Sequence, residues 1–522
     1  MAFIPFGDYA PDISEHNTLF TDVLQNVVPR GDGYGPFKEL VAFTQALNVR
    51  STVAPCRGFF FARKSDGTVQ VFAGTETKLH SLDNTDSSWD DVSKIGVASL
   101  LLSDGVSMLL LVDGVSGLDL TTGTGPGNYS ALSSNAQWQF AQFNNLVIAV
   151  QQNTAPQVYD LTSSSAFSDL GGSPPQAAYI SIVNRFVLLS GILAPDVYRI
   201  QWSDLNGVTT WDGSGQSDYQ DFPDGGIVRG VAGGESGVIF QDASIRRMNY
   251  APGSPYIFSI ERVSDGDGLF APYSLISAGD RVFFCSPQGF KELLPGGYPK
   301  SIGKEKVDRT FFDTVDTTSL HLMIGASDPR STRVYWAYKS IYGQEGLFDK
   351  VLVYDWALEK WGEISVSGEY IGSMARPGIT LEGVDAAYGS NIDTLTISLD
   401  DISSASLTSI ASFNSLHKLG FFTGDNLEAT LETPEQGAMG RRVFVRGLRP
   451  VSDAATIYGS VGSRETEQAT RVYSTESLVN AVGECPQRVS TRFARGKVRI
   501  PSGTTWTYAS GIDPDIVLEG SR

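Results

Sequence analysis

Cysteine is almost absent from this chain. Its 522 residues include three, Cys56, Cys285 and Cys485, far apart and with no C-x-x-C pair. That excludes a disulfide framework and leaves free, buried thiols as the expectation. Histidine is as scarce: His16, His80, His321 and His417 never fall within five residues of one another, so no local histidine metal site is written here. Basic side chains are few as well, 39 Lys+Arg against 58 Asp+Glu for a net charge of −19, and residues 95–184 contain none. A surface of that sign does not grip duplex DNA. Long apolar runs are missing too. The densest, Val97 to Val112, is broken by Asp104 and Gly105 and is too short for a transmembrane helix of about 20 residues. No Lys or Arg precedes Arg30, so the opening residues are not expected to act as a secretory signal, and a soluble, cytoplasmically made chain is expected. Neither a G-x-S-x-G elbow nor a phosphate-binding P-loop occurs, and Gly266-Asp267-Gly268 lacks the βαβ context of a dinucleotide loop.

What the chain has is glycine, 55 residues, with 41% hydrophobic and 11% aromatic residues. That composition suits many short strands joined by tight turns, with enough apolar surface for a large core. A unit recurs: a turn pair, a dense apolar run, a loop, then a second short strand. The turn pairs are Asp66-Gly67, Asp104-Gly105, Asn144-Asn145, Asn184-Arg185, Glu235-Ser236, Asp280-Arg281 and Thr332-Arg333, spaced by 38, 40, 40, 51, 45 and 52 residues. Second strands follow, as in Val158–Leu161, Val197–Ile200, Ile245–Met248 and Val351–Tyr354. A period of 40–50 residues with several strands per unit is the signature of a β-propeller, in which a closed ring of four-stranded blades leaves no long exposed edge. The alternative reading is a row of unrelated β-sandwich domains. Convincing helices are rare, and Gly303 to Val315 is the best candidate.

The fold class expected is therefore all-β: a six- or seven-bladed β-propeller with an additional C-terminal β-domain, or platform. The divisions are an extended N-terminal segment over 1–40, the propeller over 41–365, an extended loop rich in Ser, Thr, Gly and Asp over 366–415, and the C-terminal domain over 416–522. Residues 416–522 carry 13 Lys+Arg and 12 Asp+Glu, whereas residues 1–415 carry 26 and 46. All the acidic excess thus lies outside the C-terminal part. Two basic strings mark that part, Arg441, Arg442, Arg446 and Arg449, then Arg488, Arg492, Arg495, Lys497 and Arg499. Arg441, Arg442, Arg446, Arg449, Arg492, Arg495 and Lys497 are the candidates for docking an acidic neighbour; a solvated strand face is the plainer alternative.

Two patterns hint at sugar chemistry. Trp202 to Trp211, WSDLNGVTTW, approximates the S-x-D-x-G-x-T-W turn of sialidases. It occurs once, its glycine is out of register, and the arginine cluster such an enzyme needs is absent from sequence pattern. Tyr335, Trp336 and Trp356 are able to line a sugar surface, but they fall inside strands, where packing between blades is expected.

Several stretches together resemble the tail nozzle proteins of short-tailed bacteriophages, also called tail tubular protein B or packaged-DNA-stabilisation proteins. They are Asn26–Pro36 (NVVPRGDGYGP), Trp202–Trp211, Phe222–Gly226, Gly237–Gln241, Gly279–Phe284, Lys304–Arg309, Asp328–Arg330 with Arg333–Tyr338, Val353–Trp356, Phe421–Gly424 and Arg499–Gly503. The likeness spans nearly the whole chain, and its specificity lies in the order of the pieces. It implies a homohexameric ring below a portal and a tail adaptor ring, with needle, fibre or spike proteins as further partners. The implied role is structural, without catalysis or cofactor: a virion tube that retains the packaged genome and conducts double-stranded DNA at ejection without binding it tightly. The alternative is a propeller glycan-binding protein or glycosidase acting at the host surface.

Overall fold

The computed structural model describes residues 3–14, 19–49, 52–95, 98–99, 119–120, 127–375, 408–437 and 441–519. Among the described residues, six four-stranded antiparallel sheets and four strands of an eleven-stranded sheet form the seven blades of a propeller. Blades 1 to 6 each read inner to outer in chain order. Their inner strands are Phe59–Arg63, Gln139–Phe143, Ala177–Val183, Val228–Ala232, Ile276–Ala278 and Ile324–Asp328. Successive inner strands pack side by side, and a shared core of Phe240, Ile245, Phe284 and Leu293 joins blades 4 and 5. The turn pairs are the hinges between first and second strands. Asn144 and Asn184 take φ of 55° and 54° there, the left-handed region that Asn tolerates best after Gly. The Asp104-Gly105 copy lies outside the described residues; among the described residues, 59–364 form six blades.

The seventh blade revises the expected divisions. Its strands are Tyr370–Ala375, Thr408–Phe413, Leu419–Asn426 and, outermost, Lys38–Ala42 from near the chain start. The stretch expected as an extended loop, 366–415, thus supplies two blade strands, and the propeller runs past 416 to Asn426. The expected boundary failed because this blade borrows its last strand from the other end of the chain. Pairing the two ends closes the ring without an exposed seam. With the boundaries so placed, residues 38–426 hold 26 Lys+Arg and 42 Asp+Glu, a net of −16, and the rest of the chain a net of −3.

The platform follows. One sheet runs Cys485–Thr491, Val443–Ser452, Ala509–Leu518, Gly33–Pro36 and Val27–Arg30, with Ile4–Pro5 also on the Ala509–Leu518 strand. The other continues blade 6: Lys360–Ile364 pairs in parallel with Leu24–Gln25, which pairs with Ala429–Glu432, then Phe493–Ile500 and Tyr458–Arg464. The N-terminal segment is therefore the tie between the two parts. Phe6, Tyr9, Leu24, Val27 and Tyr34 share one buried core with Phe290, Trp336 and Trp361 of the propeller and Leu448, Val498 and Ile512 of the platform.

The expected helix is present but short, α1 over Asp308–Thr314, between blades 5 and 6. Phe311 sits edge-on to Phe290 at 4.9 Å. Tyr335 and Trp336 are buried in blade packing, and the Trp336 indole N–H donates to the Ser274 carbonyl at 2.9 Å. All three cysteines are buried and unpaired.

Candidate functional site

Seven basic residues were singled out by sequence, and the fold divides them between two faces. The first group lies around the antiparallel pair Val443–Ser452 and Cys485–Thr491. Val443 opposes Thr491, which brings Arg442 beside Arg492 at the end of the sheet. Both share one carboxylate: Arg442 Nη2 lies 2.7 Å from Glu465, and Arg492 Nε 4.0 Å from it. Arg446 falls at the register shift between Val445 and Gly447, a bulge that turns its side chain outward. Arg441, Arg446 and Arg488 are exposed, with no ion partner among the described residues. Arg449 stands 3.7 Å from Glu484.

The second group lies on Phe493–Ile500, and there Arg495 is buried. Residues 495, 497 and 499 share a face by the two-residue period, while Val498 and Ile500 enter the core. Arg495 is fully covered there by the N-terminal segment. Its guanidinium meets Asp22 and Glu432 and donates to Thr21 Oγ1 at 2.8 Å. Lys497 stands 5.1 Å from the centre of the Tyr473 ring. Arg499 pairs with Glu428 and Glu476. Arg495 is therefore withdrawn as a docking candidate: burying a guanidinium requires paired carboxylates, and the segment brings one of them.

Polar side chains also gather about the propeller axis. Segments entering the inner strands meet at one end of the channel. The Gln137 backbone N–H, just ahead of blade 2, donates to the Tyr273 hydroxyl at 2.9 Å, just ahead of blade 5. The Gln137 side-chain amide donates to the His321 carbonyl, just ahead of blade 6. His321 Nδ1 lies 3.0 Å from Asn135 Oδ1, and Tyr179 of blade 3 packs edge-on to Tyr273. Blades 2 and 5 are three steps apart around the ring, so these contacts cross the axis and plug it. Burial, with the Arg57 and Lys339 charges nearby, lowers the His321 imidazole to about 4, so it is neutral near pH 7. Burial likewise pushes the Tyr273 hydroxyl up to about 12. The Arg57 guanidinium donates to the Ser134 and Ala136 carbonyls of the connector that carries Gln137. Sequence reasoning missed it because Gln137, Tyr273 and His321 sit in unremarkable connectors that only ring closure brings together.

The sialidase-like turn has a structural job. Asp204 Oδ1 accepts the Gln216 N–H at 2.7 Å, and Trp211 is buried in the core between blades 2 and 3.

No protein-family model and no curated protein matches this sequence. Among solved structures it is similar to the computationally designed Ika8 protein, with a TM-score of 0.33 and 10% identity over 73% of this chain and 98% of that one. It is also similar to YCF48 bound to D1 peptide, TM-score 0.33, 12% identity, 63% of this chain and 86% of that one. BamB from Moraxella catarrhalis has a TM-score of 0.33, 11% identity, and coverage of 67% and 87%.

Proposed function

We propose that this chain is a non-catalytic virion component, the distal nozzle of a short phage tail, which assembles as a homohexamer, retains the packaged genome and conducts DNA at ejection. The observation that carries the reading is the union of a propeller and a β platform through the N-terminal segment, in a chain whose ordered likeness to nozzle proteins runs across both parts. The plugged axis supports one detail: a conduit for duplex lies between subunits of a ring, because a single propeller is closed at one end. The acidic propeller, net −16, suits a wall past which phosphates slide without sticking. The exposed, unpaired Arg441, Arg446 and Arg488 suit docking of an acidic neighbour in the tail.

The deciding experiment is the mass of the assembled protein, by native mass spectrometry alone and with the products of neighbouring genes. A closed ring of six is expected, since head-to-tail contacts that close give rings. A strict monomer at high concentration, also with those products, returns the chain to the glycan-binding or glycosidase reading.

A further inference from the structure

A cleft of about 560 Å³ opens where the N-terminal segment, blades 6 and 7 and the platform loop around Trp506 meet. Phe37, Tyr335 and Phe422 form its floor, with the Phe37 ring 4.9 Å from Phe422 and 6.3 Å from Tyr335. Its rim holds Arg30, Lys38 and Arg330, all exposed and none with an ion partner among the described residues. Many other cations of the propeller sit against carboxylates, among them Arg199 on Asp221, Arg246 on Asp224 and Lys339 on Asp316. Arg333 at the cleft is likewise paired, with Asp355. Asp328, already held by the Arg330 N–H and Ser331 Oγ, and Asp425 complete the charged lining, which keeps a formal net of +2. The buried Trp506 indole N–H has no acceptor among the described residues.

A sheet edge leads into this cleft. Lys38–Ala42 is the outermost strand of blade 7 and, among the described residues, pairs on one side only. The Phe43 N–H donates to the Leu419 carbonyl at 3.0 Å. By the alternation of an antiparallel ladder, residues 39 and 41 also face that strand, whereas the N–H and C=O groups of Leu40 and Ala42 point outward. The edge is five residues long and carries the exposed apolar Val41. Native edges are usually covered, very short or, as here with Lys38 and Glu39, charged.

We infer that this edge and cleft bind an extended, acidic peptide segment of a partner polypeptide, which adds a fifth strand to blade 7 and sets carboxylates among Arg30, Lys38 and Arg330. Strand addition supplies affinity through main-chain hydrogen bonds. The unpaired cations, in a chain of net −19, select acidic side chains. The inference does not rest on the nozzle reading.

The test is fluorescence anisotropy of the full chain with a dye-labelled nonapeptide alternating Val and Glu. The same peptide with Lys in place of Glu and a heparin hexasaccharide serve as comparison probes. Binding of the Val-Glu probe alone is expected, weakened at least tenfold by Arg30→Glu with Arg330→Glu, and to a similar extent by Ala42→Pro, which removes one outward N–H. If Ala42→Pro does not fold, hydrogen exchange on the wild type takes its place: the Leu40 and Ala42 amides gain protection when the probe is added. Equal binding of the Lys peptide, indifference to the charge reversals, unchanged exchange at 38–42, or no peptide binding overturns the inference. Binding of heparin alone overturns it as well and assigns the cleft to acidic glycans.

Discussion

Asp12 caps a helix nearly three hundred residues away. Its carboxylate accepts the backbone N–H of Arg309 at 2.7 Å and of Thr310 at 2.8 Å, together with the Thr310 hydroxyl. These are the second and third residues of α1, whose own N-cap, Val307, offers no side-chain oxygen. The N-terminal segment thus supplies what the local sequence omits, and it docks beside the helix that packs blade 5 on blade 6. Asp12→Ala is expected to cost about 2 kcal/mol, the upper range for a cap, because the carboxylate is buried at the positive end of the helix. Hydrogen exchange at 308–314 checks this: protection falls there first, while the outer blades keep theirs.

Arg495 and Arg446 give opposite outcomes on substitution. Arg495→Ala leaves the buried Glu432 without its cation, and removing one partner of a buried pair costs about 3–5 kcal/mol. A lower denaturation midpoint for the platform is expected, and Arg495→Glu is expected not to fold. Arg446→Glu is expected to leave that midpoint within about 0.5 kcal/mol, as befits an exposed side chain, and to weaken tail assembly as seen by electron microscopy. A stable Arg495→Glu protein would show that the seam is not held as described.

Asp308 makes stability depend on pH. Its side chain is buried in the first turn of α1, where Oδ1 accepts the Phe290 N–H at 3.0 Å and Oδ2 has no partner among the described residues. Burial, with Asp12 nearby, raises its carboxyl from 3.8 to about 6. Between those values the folded chain holds more protons at this site than the unfolded chain, so the contribution to stability falls as pH rises from about 4 to about 6 and is level above. The full effect is about 3 kcal/mol at most. His321 works in the opposite sense, because its depressed imidazole makes the folded chain less stable as pH falls from 6.5 toward 4. The difference between wild type and Asp308→Asn isolates the carboxyl: the asparagine variant is expected to melt higher at pH 7.5, with the gap closing toward pH 4. A gap independent of pH would remove Asp308 as its cause.

How much of this was legible in sequence follows from the range of each interaction. The hinge of every blade from 1 to 6 is local, and a turn residue such as Asn144 or Asn184 beside an apolar run announces it. Blade 7 announces nothing, since Lys38–Ala42 pairs with Leu419–Asn426 and no local pattern encodes that distance. Arg495 was misread for a similar reason. Alternation placed it on a polar face, but the Thr21 hydroxyl that helps cover that face lies 474 residues earlier in the chain. Arg441, Arg442, Arg446 and Arg492 were read as neighbours within one string or the next, and pairing of adjacent strands brings three of them together. The cleft residues Arg30, Lys38 and Arg330 belong to no string and gather only in the fold.

Contact with DNA offers the last prediction. Duplex affinity grows with the number of phosphates neutralised and falls steeply with salt, so a protein that grips DNA spreads unpaired cations along its path. On this chain the propeller carries a net of −16, most of its described arginines lie against carboxylates, and its axis is plugged. Of the exposed platform cations, Arg446 and Arg488 lie opposite each other at the bulge of one strand pair, and Arg441 lies beyond the end of that pair. A conduit gains nothing from holding its cargo, since each contact made must be broken as the genome slides. The isolated protein is therefore expected not to retard duplex DNA in a gel at about 100 mM salt, where charges act over about 10 Å. Arg446→Glu combined with Arg488→Glu is expected to leave that result unchanged while weakening tail assembly. Micromolar, salt-sensitive binding in the wild type that the double variant abolishes would mean that the platform arginines serve DNA, and the non-adhesive conduit would have to be abandoned.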